Sequence, residues 1–447
     1  MSTTAIINAR IYTCDTGFRC ISNGTIVFDQ HGIQALGDTS TTPVPADANV
    51  IDGKGRLAVL PGLIDVHSHS SLLKGYTENA QLMDWLPQYQ REHRVLTEAD
   101  AYHGFLVSYM EALKGGTTTV MDMYRFLHKG AEAAMQLGMR VHLVPYAADH
   151  PTKNFFETLE SSEALIEHCR RYPRDKVQPW LGLEHITYCS ESMFRAVRDL
   201  SDRYGVNIHT HTSEQQEEVA TVVKLFGNKP VLKFNDYGIL KPGTVLAHCV
   251  WLDEEEIAVA AMTGTAIAHC PLSNMKLASG PAPLEKFRAA GITVGLGSDG
   301  GISNNTLSMW ECMKAASLLR KVTLLDAAAL DAPTALRMAT IEGARLLGVG
   351  HTLGSLEVGK LADVITVDLW QPHLLPIVES QGYDPVLWNL VFAARASDVR
   401  DVWVGGSAVV QNGKLCQLDE HALLEAIHQQ TIELLSRREK VAAVPMV

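Results

Sequence analysis

Val59-Leu60-Pro61-Gly62-Leu63-Ile64-Asp65-Val66-His67-Ser68-His69-Ser70 decides how the rest of this 447-residue chain is read. An apolar run ends on His-x-His. In an extended strand, residues i and i+2 share a face, so His67 and His69 aim two imidazoles at one point where the run stops. That is metal-ligand geometry at a strand's C-terminal end, which in a barrel of parallel strands is the active end.

Outward from this stretch the texture alternates between strand and helix. Candidate strands lie at 58–67, 117–123, 139–147, 177–185, 206–212, 244–250, 265–271 and 292–299. Helix-period segments separate them, among them Asp84–Lys114, Ser190–Tyr204, Glu214–Phe226, Asp253–Met262 and Pro283–Ala290. About eight βα units over roughly 260 residues predict a TIM (β/α)8 barrel. An open doubly wound sheet would need fewer strands, and no Gly-x-Gly-x-x-Gly marks a first βα turn.

The two chain ends read differently. Residues 1–57 are short strands and turns. Gly359-Lys360-Leu361-Ala362-Asp363-Val364-Ile365 returns to strand texture, and Asp401–Val410 reads as a hairpin turning at Gly405-Gly406. Each end is too small to hold a core. They are expected to join into one small β-sandwich, giving 1–57 as its first part, 58–365 as the barrel, and 366–447 as its second part with a closing helix at 420–438.

A net charge of −12 with no long Lys/Arg run excludes a partner bound through a nucleic-acid backbone. No run of about 18 apolar residues is present, so no membrane span is expected. Met1–Arg10 has neither a basic region nor an apolar core, so no signal peptide is expected. Eight cysteines without a Cys-x-x-Cys pair read as reduced thiols, and a cytoplasmic location is expected.

Other strand ends repeat the pattern of the first. Glu184-His185 closes the fourth, His209-x-His211 the fifth, His248 the sixth, His269 the seventh and Asp299 the eighth. One His at a strand end is commonplace; most of the strands ending so, in register, is hard to assign to packing. Zinc takes neutral imidazole nitrogen and carboxylate oxygen, and a catalytic site keeps a position for water. His67, His69, a fifth-strand His and Asp299 supply such donors. Alternation points both His209 and His211 inward; Glu214, three residues past His211, favours His211 and would shuttle protons. His248 should reach and orient the water. His269 is open between a site role and a structural one.

At this point the residues resemble a known group. Pro61–His69, His211-x-x-Glu214, Ala247-His248-Cys249, His269-Cys270-Pro271-x-Ser273-Asn274 and Gly297-Ser298-Asp299-Gly300-x-x-Ser303-Asn304-Asn305 resemble the amidohydrolase superfamily. Within it, the pattern is nearest the 5-methylthioadenosine/S-adenosylhomocysteine deaminase and chlorohydrolase branch. Gly115–Thr119 and Gly359–Asp363 belong to the same pattern. The resemblance implies one divalent metal, usually zinc with iron as the alternative, on His67, His69, His211 and Asp299. It implies Glu214 as proton carrier, His248 polarising the water, and Asp299 sharing in the relay. Trp85 is similar to the branch's substrate-contacting Trp.

Two departures bear on substrate. Where the branch has Pro, this chain has Glu184, just before His185; His185 is expected at the substrate, and Glu184 is open between facing N–H or amino donors of the substrate and an ion pair at the barrel rim. The segment Arg140–His150 has no Arg after its strand, which counts against S-adenosylhomocysteine. The expected activity is hydrolytic deamination of a nitrogen heterocycle with release of ammonia, by a homo-oligomer acting on a small molecule. The rivals are dechlorination or cyclic amide hydrolysis at the same site, a binuclear centre bridged by Glu184, and a barrel that only binds.

Overall fold

The computed structural model describes residues 3–443. Its α/β part contains two five-stranded parallel sheets. One runs, in hydrogen-bonded order, Asp299–Gly300, Leu63–His69, Thr117–Tyr124, Arg140–Pro145 and Val177–Pro179; the other runs Leu181–Leu183, Ile208–Thr212, Thr244–His248, Ala266–His269 and Val294–Leu296. Two segments of chain serve both sheets. Residues 177–183 change partner at Trp180, whose N–H donates to Leu143 O at 2.8 Å. Residues 294–300 change partner around Gly297, whose N–H donates to His269 O at 2.9 Å. Helices of the βα units cover the outside, several with side-chain caps: Ser190 accepts from Met193 N–H, and Asp253 forms a capping box with Glu256.

Strands from both chain ends form one nine-stranded sheet. Its path is Lys414–Leu415, Ser407–Gln411, Val399–Val404, Val364–Asp368, Leu57–Pro61, Thr4–Tyr12, Cys20–Asp29 and Gly32–Asp38, with Asn49–Asp52 beside Thr4–Tyr12. Alternation along these strands feeds two cores. Leu57, Val59, Val364 and Trp403 pack with Ile6, Ile11, Ile26 and Phe28, whereas Ala58, Leu60, Ile365 and Val402 join the large core of the parallel strands.

The opening stretch therefore divides. The run expected as one strand at 58–67 is two: Leu57–Pro61 pairs antiparallel with Val364–Asp368, and Leu63–His69 pairs parallel with Thr117–Tyr124. The break is Gly62. Its N–H donates to Asp363 O at 2.9 Å, and a Cβ there would sit 2.2 Å from Thr118 Oγ1, so only glycine fits. The strand Val364–Asp368 likewise runs across the residue 365/366 division. The long helical segment expected at Asp84–Lys114 is two helices, Leu82–His93 and Glu98–Lys114, because Thr97 and Asp100 form a capping box that restarts the helix. Arg140 ties sheet to sheet: its Nε and Nη2 each lie 2.9 Å from Asp363 carboxylate oxygens, with both side chains buried.

Candidate active site

The C-terminal ends of the parallel strands converge on one cluster. The ring nitrogens of His67, His69 and His211 come within 4.8 Å of one another. Asp299 Oδ1 lies 3.0 Å from His69 Nε2 and 3.5 Å from His67 Nε2. Strand register explains the meeting: Asp299 is paired with Ser68 and Thr212 with His248. Asp65 fastens the first strand to the last, accepting from Ser298 N–H at 3.0 Å and His67 N–H at 3.2 Å.

Each imidazole is oriented from behind, and the partner sets its tautomer. His211 Nδ1 donates to Glu184 O at 2.7 Å, and His69 Nδ1 donates to Met123 O at 2.6 Å. His67 Nδ1 lies 2.7 Å from His209 Nε2, and His209 Nδ1 lies 3.0 Å from Val245 O. A carbonyl only accepts, so His209 carries its proton on Nδ1 and receives the His67 Nδ1–H on Nε2. All three Nε2 lone pairs therefore face the same space.

The donor set fits a divalent metal ion. His67 Nε2 is fully buried and has no hydrogen-bond partner among the described residues. Burial and the charge of His69 hold the His67 imidazole down near 3, and burial keeps His209 and His211 well below their ordinary values. Neutral imidazole is the state that binds metal. Asp299 is also buried, which opposes its charge, but the adjacent His67 and His69 imidazoles outweigh that and hold its carboxyl well below the usual range.

Beside this cluster, His248 Nδ1 meets Asn274 Oδ1 at 3.0 Å, leaving His248 Nε2 3.6 Å from Glu214 Oε2. Ser279 Oγ donates to Glu214 Oε1 at 3.1 Å. Burial pushes the Glu214 carboxyl up to about 7, against the pull of His248. A carboxyl poised there both takes and gives a proton near neutrality. Ser213, His248, Cys249 and Asp299 all adopt left-handed φ between +52° and +69°. Such conformations are costly for these residue types and gather at functional sites.

Over the cluster lies a small cavity of about 40 Å³. Trp85, Tyr89, Tyr146, Glu184 and His185 line it together with His69, His211, Glu214, His248 and Asp299. Trp85 donates its Nε1–H to Thr77 O at 3.1 Å and stacks on Tyr89. His185 Nε2 lies 3.1 Å from Glu218 Oε1, and Glu218 also caps the N–H groups of Ser213 and Glu214. His269 is buried, lies outside the cavity lining, and has no hydrogen-bond partner on either ring nitrogen among the described residues.

Sequence reasoning did not find Tyr146, whose hydroxyl lies 2.8 Å from His69 Nδ1, nor the supports Asn274, Ser279 and Glu218. Asn274 lay inside a quoted motif without a role. Tyr146 sits one residue past the third parallel strand, the one signal that could have marked it.

These features define a hydrolase with a metal-type site at the ends of parallel strands. Residues 58–409 match the Amidohydrolase family, and the chain belongs to that family. It is 37% identical over 432 residues to a 5-methylthioadenosine/S-adenosylhomocysteine deaminase of Syntrophobacter fumaroxidans, covering 94% of this chain and 96% of that protein. It is 33% identical over 441 residues to a 5'-deoxyadenosine deaminase of Methanosarcina mazei, covering 98% and 99%. Among solved structures, an adenosine deaminase from Xanthomonas campestris with bound zinc superposes with a TM-score of 0.90 at 30% identity, covering 97% and 99%. The protein is a hydrolase of C–N bonds other than peptide bonds, a metal-dependent deaminase of a nitrogen heterocycle. Among the described residues, no helix is long and apolar enough to cross a membrane.

Proposed function

We propose that the chain deaminates an adenosine-type nucleoside, with His67, His69, His211 and Asp299 holding one zinc ion. The observation that carries this reading is the convergence of the His67, His69 and His211 Nε2 atoms on a space shared with Asp299 and bordered by Glu214 and His248. When bound, the ion supplies Lewis-acid activation of a water molecule. Glu214 takes one proton of the water on Oε2 and returns it to the ring nitrogen, and the second proton, from the attacking hydroxyl, passes through Asp299 to the departing amine; Ser279 holds the other Glu214 oxygen in place. His248 orients the water through Nε2, its far nitrogen fixed by Asn274. Asp299 shares in the proton relay. Trp85 and His185 pack against the heterocycle, and Glu184 contacts it from the fourth strand's end.

The two parallel sheets close into one eight-stranded barrel through the shared segments 177–183 and 294–300. The nine-stranded sheet curls over Ile6, Ile26, Phe28 and Trp403 as a small sandwich. Residues 3–61 and the strands from Val364 onward belong to that sandwich, and the chain from Leu63 to the last parallel strand to the barrel. Action in the cytoplasm as a homo-oligomer is part of the same reading.

The test is ammonia release from adenosine, 5'-deoxyadenosine and 5'-methylthioadenosine by zinc-loaded protein, with the inosine-type product followed by ultraviolet absorbance. Release of ammonia supports the reading. Chloride release from a chlorotriazine without ammonia from any nucleoside overturns it.

A further inference from the structure

The cavity holds one buried acidic group for which the deamination chemistry has no use. Glu184 is 4% exposed and lines the cavity beside Tyr146 and His211. Its backbone is fixed on both sides: the N–H donates to Ala147 O at 2.9 Å, and the carbonyl accepts from His211 Nδ1 at 2.7 Å. Yet its carboxylate oxygen Oε2 has no hydrogen-bond partner among the described residues. Leaving a buried carboxylate oxygen unpaired is costly.

The contrast with Glu218 is direct. That carboxylate, in the same cavity wall, receives the N–H groups of Ser213, Glu214 and Gln215 and faces His185 Nε2. One acid is saturated by the protein, and the other keeps one oxygen, Oε2, without a partner among the described residues. The buried cation Lys153 donates to Gln90 Oε1 at 2.7 Å and lies 4.7 Å over the Tyr188 ring, so it acts on Glu184 by charge and makes no hydrogen bond to Oε2. The cavity lining as a whole contains Glu184, Glu214, Glu218 and Asp299 and no Lys or Arg.

We infer that Glu184 Oε2 is a specificity-determining acceptor for an N–H donor or cationic nitrogen of the substrate, and that the site disfavours substrates bearing a carboxylate. This rests on the heterocycle-deaminase reading above. The donor has two possible sources, an exocyclic amine on the ring or an amine on its substituent. A carboxylate such as that of S-adenosylhomocysteine meets no Lys or Arg in this lining and four acids. A site built around a polar partner rejects analogues lacking that partner strongly, because its own buried group is then left unpaired.

Two matched pairs distinguish the sources. Adenosine against 2,6-diaminopurine riboside varies a ring amine; 5'-deoxyadenosine against 5'-amino-5'-deoxyadenosine varies a substituent amine. S-adenosylhomocysteine is the carboxylate-bearing comparison. The expected result is a kcat/KM preference of about tenfold or more for the donor-bearing member of one pair. That preference shrinks in Glu184→Gln and vanishes in Glu184→Ala, through KM, with metal content unchanged. S-adenosylhomocysteine is the poorest substrate of the set. Equal rates within both pairs, or a preference that survives Glu184→Ala, overturns the inference. Glu184→Gln is isosteric and uncharged, so it carries the test if the alanine variant does not fold. If wild-type protein deaminates none of the set, the functional reading fails. Calorimetric binding of the same pairs to wild type and Glu184→Gln then decides the Glu184 inference separately.

Discussion

His209 Nε2 lies 2.7 Å from His67 Nδ1, and that contact sets the direction of the His67 Nε2 lone pair. Behind it, Val245 O fixes the His209 tautomer. His209 thus acts on the metal position through His67. Outer partners of this kind govern metal affinity by about 10–100-fold. His209→Ala is expected to weaken zinc binding by that factor, measured by competition with a chromophoric chelator. Unchanged affinity would remove His209 from the support of the site.

Glu214→Gln keeps the shape of the side chain and its contact with Ser279 but cannot carry the proton. Turnover should fall by about 10²–10⁴-fold, the range for loss of a positioned general acid–base group. Zinc content by mass spectrometry should stay at the wild-type level, because Glu214 lies outside the cluster of ring nitrogens.

Removing the metal should lower stability as well as activity. An ion that binds only the folded chain stabilises it by about 2.7 kcal/mol at a hundredfold excess over Kd. Dialysis against a chelator should lower Tm, and stoichiometric zinc should restore it. An unmoved Tm would argue that His67, His69 and His211 hold no ion.

Glu92 offers a pH test away from the ligands. Ser71 and Tyr124 hydroxyls donate to it at 3.0 and 2.7 Å, yet burial pushes its carboxyl from 4.5 up to about 7. Between those values the folded protein keeps a proton that the unfolded chain has released. The stability from this group is complete below about 4.5 and is lost as pH rises through 7, by about 3 kcal/mol in the limit. Urea unfolding at pH 5 and pH 8 should show a smaller difference for Glu92→Gln than for wild type. Asp65 and Glu184 shift in the same direction, so part of the wild-type slope should remain.

The Arg140–Asp363 pair is buried on both sides and links a parallel strand to the nine-stranded sheet. Asp363→Ala leaves a guanidinium buried with half its partners gone. A loss of about 3–5 kcal/mol is expected in urea unfolding. Arg140→Met combined with Asp363→Leu should recover much of it, since apolar replacement of both partners removes the unpaired charge.

What was legible in the chain followed from short-range periodicity. His67 and His69 share parity, and the structure brings both to the cluster; the hairpin at Gly405-Gly406 and the helix Glu420–Arg438 also follow from local pattern. What was not legible depended on neighbours distant in sequence. Nothing in 58–67 shows that Gly62 hands the chain from one sheet to another, because the reason is the side chain of Thr118. His209 and His211 have the same parity, and only the tautomer chain through Val245 separates their positions. Asn274 and Ser279 reach His248 and Glu214 from loops and a short helix, where alternation has no meaning.

The passage through Gly62 also limits how the protein can be shortened. The strand carrying His67 and His69 leaves the nine-stranded sheet with one residue between them, and Ala58, Leu60, Ile365 and Val402 press that sheet onto the core beneath the ligands. A version trimmed to its reactive half would present this apolar underside to water as a broad sticky face, a recipe for aggregation. The flanking β-structure is therefore inseparable from catalysis in any working derivative, and grafts or fusions belong at the far ends of that sheet.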